Sequence, residues 1–91
     1  MRNDYKDGKV LQNFNGYFWK FNANKKPYRV KRTLRMLGKT DILAEAKTKE
    51  DLIKICDEKI EELEIKPMFV DDVLESTFWR EVREACRVCK E

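Results

Sequence analysis

Ninety-one residues, 42% apolar and 41% charged, describe one domain with a modest core, too apolar for a disordered chain and too charged to sit in a bilayer. No apolar run approaches the roughly 18 residues of a membrane span, and the polar start Met1-Arg2-Asn3-Asp4-Tyr5-Lys6-Asp7 lacks the apolar stretch of a signal peptide, so a cytoplasmic location is expected. Residues 1–40 carry eleven Lys and Arg against two Asp, whereas residues 41–91 carry nine against fifteen Asp and Glu, which predicts a basic end and an acidic end.

Residues 1–13 read as a flexible N-terminal segment, largely polar, with Val10 and Leu11 its only adjacent apolar pair, and residues 14–91 form a single α+β domain. Phe14 to Phe21 reads as a first strand because aromatics dominate it; Tyr17, Trp19 and Phe21 fall on one face, Phe18 and Lys20 on the other. Asn22 to Pro27 is turn material. Tyr28 to Leu37 alternates as a second strand. Tyr28, Val30, Leu34 and Met36 share its inner face, interrupted by Arg32, and Arg29, Lys31, Thr33 and Arg35 share the outer face. Gly38-Lys39-Thr40-Asp41 marks another turn. Ile42 to Lys47 reads as a short third strand with Ile42, Ala44 and Ala46 inward; its Ala and Glu content also fits a helix start.

Thr48 is positioned to cap a helix whose first turn holds Glu50 and Asp51, suited to the positive end of the helix dipole. Leu52, Cys56, Ile60 and Leu63, with Ile53 beside them, recur at helical spacing until Pro67 stops the helix near Lys66. Val70, Leu74, Phe78, Val82, Ala85 and Cys89 trace a second amphipathic helix, with Ser76-Thr77 as a candidate kink. The expected architecture is a three-stranded antiparallel sheet packed on one helix, followed by a C-terminal helix, in the order β-β-β-α-α.

Catalytic chemistry has few carriers in this chain. Without histidine there is no Ser-His or Cys-His pair, and Gly8, Gly16 and Gly38 are too scattered for a phosphate loop. No enzyme activity, cofactor or metal site is expected. Cys86-Arg87-Val88-Cys89 lies at a helix C-terminus, where the dipole opposes a thiolate, and with Cys56 it supplies only three of zinc's four ligands. The cysteines read as buried small hydrophobes, and their odd number suits a reducing compartment.

The outward hairpin face is the strongest functional candidate. Phe18, Lys20, Arg29, Lys31, Thr33 and Arg35, joined by Lys25 and Lys26 in the loop and Lys39 in the next turn, form a cationic surface with one aromatic. Such a surface neutralises phosphates, touches base edges or stacks on a splayed base. The bland counterpart is a solvated sheet face whose Lys and Arg discourage edge aggregation. Trp19, Tyr17 and Phe21 are expected in the core against Leu52, Ile53, Cys56 and Ile60.

Gly16-Tyr17-Phe18-Trp19-Lys20, Tyr28 to Arg35, and Lys47-Thr48-Lys49-Glu50-Asp51-Leu52 together resemble the three-stranded-sheet-plus-helix DNA-binding domains, namely the AP2-like domains and the N-terminal arm-binding domains of phage and transposon integrases. The resemblance covers about residues 16–63. It implies a sheet entering the major groove with Lys20, Arg29, Lys31 and Arg35 as contacts. The third strand is poorer in basic residues than the family's, and the second helix lies outside its pattern.

The leading expectation is thus a small binding protein, of phage or mobile-element type, for duplex DNA. A second is a phage-type inhibitor of host defence that places the acidic helix residues Asp57, Glu58, Glu61, Glu62 and Glu64, with Trp79, in a basic groove on a host nucleic-acid-handling protein. A third is a homodimer through the C-terminal helix, because the adjacent Phe78 and Trp79 are not expected to face one core together.

Overall fold

Asn15 and Gly16 both adopt positive φ, 55° and 78°, the combination a two-residue hairpin turn requires. That turn joins two strands where a flexible segment and one strand were expected. The structure, a computed structural model, describes residues 8–65 and 70–88. Its strands are β1 (Lys9–Phe14), β2 (Tyr17–Asn22), β3 (Tyr28–Leu34) and β4 (Lys39–Ala46), followed by helices α1 (Lys49–Ile65) and α2 (Val70–Val88). The α+β class holds, but the sheet has four antiparallel strands in sequence order, not three. Residues 9–13 of the expected lead-in belong to the sheet, and Phe14 ends β1 instead of opening the next strand; residues 1–7 lie outside the described residues.

Directly opposed residues in an antiparallel sheet share a face. One cross-strand row is Val10–Phe21–Val30–Ala44, and all four are buried. They join Trp19, Tyr28 and Ala46 in a single core with Leu52, Cys56 and Ile60 of α1 and Phe78, Trp79, Val82, Ala85 and Cys86 of α2. Both helices therefore cover this one face, α1 against β4 and α2 against β1. Trp19 is stacked on Phe14 at 4.6 Å between ring centroids and meets Phe78 at 5.3 Å, so the second helix, not the first, supplies its aromatic neighbour. The indole N–H of Trp19 donates to the Phe14 carbonyl at 3.3 Å, which satisfies its polar atom.

Arg32, which interrupts the inner face, is accommodated at the margin of the core. Its guanidinium lies 4.4 Å from the Tyr17 ring centroid and 5.6 Å from that of Trp19, and it reaches Asp41 at 3.5 Å.

The β3–β4 hairpin departs from expectation in two ways. Residues 35–38 form the turn, so Met36 is 92% exposed at its tip instead of inward in a strand, while Lys39–Asp41 are paired strand residues. A bulge then shifts the register: Val30 opposes Ala44 but Lys31 opposes Ile42, leaving Leu43 as the extra residue. Ala44 and Ala46 stay inward, whereas Ile42 is thrown to the outer face beside Lys31.

Thr48 caps α1 as expected: its hydroxyl accepts from the Asp51 N–H at 3.1 Å. The stop before Pro67 lies outside the described residues. In α2, Ser76 and Thr77 both donate to the Val73 carbonyl, each at 2.9 Å, and the helix continues through them without a break. Among the residues of α2 whose burial is described, Ser76 is the first buried one, and Leu74 of the expected stripe is exposed. Phe78 and Trp79 are both fully buried, contrary to the reading that one must be outside. Neighbours on a helix diverge by about 100°. Because α2 packs against both β1 and α1, its covered arc is wide enough for both rings, and the Trp79 N–H is satisfied by Glu75 at 3.3 Å.

The burial of Trp79 makes a quantitative expectation. Trp79→Ala should cost about 3–5 kcal/mol in urea unfolding, where an exposed interface tryptophan would cost about half a kcal/mol or less.

Candidate functional site

The pleat that buries Val10, Phe21 and Val30 sends the alternate residues to the opposite, uncovered side of the sheet. Two rows cross all four strands there. One is Leu11–Lys20–Lys31–Ile42, and the next is Asn13–Phe18–Thr33–Thr40. Arg29 stands on the same side opposite Glu45, which accepts from it at 2.6 Å. This face is where the expected cations gather. Lys20, Arg29, Lys31 and Arg35 are exposed and together, and no described helix covers them.

Lys25 and Lys26, in the β2–β3 loop, join Lys9, Lys20, Arg29 and Lys31 around a shallow depression of about 310 Å³. No carboxylate is among its described lining residues. The ion pairs among the described residues leave Lys20, Lys25 and Lys31 without a carboxylate partner. Lys20 and Lys31 moreover sit directly opposite each other, a like-charge pairing that weakens a sheet. The surface thus holds concentrated positive charge that folding alone does not reward.

The other end of the face is aromatic and polar. Phe18 is 41% exposed and is the one aromatic among the described large hydrophobics that are exposed. The Arg35 guanidinium lies 5.3 Å from its ring centroid and donates to the Asn13 side-chain oxygen at 3.3 Å, which fixes the cation against the ring. Thr33, half-buried, shares a hydroxyl hydrogen bond of 2.9 Å with Thr40. Leu11 and Ile42, 67% and 55% exposed, flank the two lysines of the middle row.

Two of the candidate residues fall elsewhere. Lys39 is exposed but opposes Leu34, which puts it on the helix-facing side by register and apart from the cationic surface. Trp79 is enclosed in the core and offers no surface to a protein partner. Among the acidic candidates, Asp57 is paired with Arg83 at 2.6 Å and Glu64 with Arg80, so both tie α1 to α2. Glu58, Glu61 and Glu62 are exposed. The residues missed from the cationic face are Lys9, Leu11, Asn13 and Ile42. The Asn15-Gly16 pair was the available signal for the first three, since Asn-Gly between extended segments marks a hairpin.

The cysteines behave as core. Cys56 and Cys86 are buried and reduced. Burial pushes the Cys56 thiol from 9.0 up to about 12, with Cys86 and Asp57 adding to the rise and Arg83 opposing it. Cys89 lies outside the described residues. Among the described residues no cluster of His, Cys, Asp or Glu is arranged to hold a metal ion, and no helix is long and apolar enough to cross a membrane.

No family model, curated protein or solved structure matches the chain.

Two outcomes follow from this geometry. Lys31→Glu replaces a like-charge pair with an opposite one and should raise stability by about half a kcal/mol, read as a higher urea midpoint with an unchanged slope. For Cys56, the unfolded chain holds fewer protons than the folded one between 9.0 and about 12, so its contribution to stability is whole below pH 9.0 and is lost as pH rises toward 12. A thiol reagent at about pH 8 should therefore leave Cys56 unmodified until denaturant is added, and peptide mapping that finds it labelled in the native protein would contradict this account.

Proposed function

We propose that the protein binds nucleic acid through the uncovered face of its sheet. The observation that carries this reading is the ring of six cationic residues around one depression, with no carboxylate in its described lining. A surface of this kind attracts phosphates over long range and gains affinity by releasing condensed counterions. The opposed Lys20 and Lys31 support it further, because repulsion between them is relieved when a phosphate sits over both. Lys20, Arg29, Lys31 and Arg35, the contacts implied by the resemblance to sheet-based DNA-binding domains, are all on this face; Arg29 shares its charge with Glu45. The protein acts by binding, with no catalytic step assigned to it.

A second reading keeps one supporting observation. Glu58, Glu61 and Glu62 are exposed on α1 and enter no ion pair among the described residues, a set that suits the basic groove of a nucleic-acid-handling protein. Recovery of such a partner from nuclease-treated lysate by wild type, and its loss with the three residues changed to Gln, is the result that would favour it.

For the main reading, fluorescence anisotropy at low salt compares wild type with Lys31→Glu plus Arg35→Glu. The double variant should lose at least about tenfold in affinity while keeping its helical circular dichroism. Wild-type log K should fall linearly with log salt, by about 0.7 per phosphate neutralised on a single strand or 0.9 on a duplex. Absence of binding by wild type even at low salt rejects the proposal.

A further inference from the structure

We infer that the uncovered sheet face takes single-stranded nucleic acid, with Phe18 as the platform on which a base stacks. The inference rests on the nucleic-acid reading of the same face and specifies the form of the ligand.

Cations alone do not discriminate between a duplex and a single strand, since both present phosphates. The apolar groups interleaved with them do. In a duplex the base faces are occupied by neighbouring bases, and the outside offers phosphates, sugars and groove edges. Phe18, Leu11 and Ile42, exposed on the face that carries Lys20 and Lys31, have little to gain from phosphates. A single strand presents its base faces and gains from stacking on a ring.

The arrangement is also organised for that contact. Phe18 stands two residues from Lys20 along β2, about 7 Å away. A phosphate held by Lys20 and Lys31 and a base laid on Phe18 thus lie within the span of neighbouring nucleotides. Arg35 is already lodged against the ring at 5.3 Å and anchored by Asn13, so ring and cation form one prepared surface. The hydroxyls of Thr33 and Thr40 lie in the same row, where they offer donors and acceptors to a base edge without fixing its identity.

The test uses the full chain with fluorescein-labelled oligothymidylate and oligouridylate of about 16 nucleotides and a mixed-sequence duplex of the same length. Wild type should bind one or both single strands more tightly than the duplex. Phe18→Ala should weaken the single strands by roughly 5- to 100-fold and weaken the duplex by a clearly smaller factor. Phe18→Leu, which keeps apolar bulk but removes the ring face, should weaken them too and serves if the alanine variant unfolds; Phe18→Tyr should restore binding. Comparison of the two single strands shows whether DNA or RNA is preferred. Duplex binding as tight as single-strand binding, or a folded Phe18→Leu protein with undiminished single-strand affinity, overturns this inference while leaving the nucleic-acid reading in place. Failure of wild type to bind any of the three at low salt overturns both.

Discussion

Trp19, held between Phe14 and Phe78, and the buried row Val10–Phe21–Val30–Ala44 bind the sheet to its helices on one side. A pleated strand cannot bury consecutive side chains on the same face. Once these residues are committed to the core, Leu11, Phe18, Lys20, Arg29 and Lys31 have no choice but to face outward. Both helices spend their apolar arcs on the same side of the sheet, so no described element covers the other. The candidate site is thus a consequence of how the core is built, and the sheet carries most of it, with Lys25, Lys26 and Arg35 added from the adjoining loop and turn.

Charge separates along the same division. The basic N-terminal part of the chain makes the sheet, and the acidic part makes the helices, where Asp57–Arg83 and Glu64–Arg80 tie α1 to α2. Among the described strand residues, Glu45 opposite Arg29 is the acidic side chain on the outer face. The cost of this arrangement is visible in the opposed lysines of β2 and β3. A sheet selected for stability alone has no reason to place them so, which is why the pairing weighs toward a polyanionic ligand.

Much was readable from residue order, because the physics involved is local. Alternation in Tyr17–Phe21 and Tyr28–Leu34 follows from the pleat, and it correctly separated Trp19, Phe21 and Val30 from Phe18, Lys20 and Lys31. The Thr48 cap and the α1 stripe are equally local, each depending on neighbours within a turn or two. The missed first strand is instructive. Lys9–Phe14 mixes Gln and Asn with its apolar residues, so its pattern is weak alone, and it is stabilised by pairing with β2 across the Asn15-Gly16 turn.

What the sequence by itself determined is the set of local preferences: which residues extend, which coil, and which side of each strand or helix is apolar. Tertiary structure alone decided the rest. Packing α2 against both sheet and α1 widened its buried arc to take in Phe78 and Trp79, which no single-helix pattern could reveal. The bulge at Leu43 sent Ile42 to the outer face and the paired register sent Lys39 to the other, because a one-residue shift exchanges the faces of a strand. Those long-range pairings, set by the whole core at once, bring cations from three strands and a loop onto one surface.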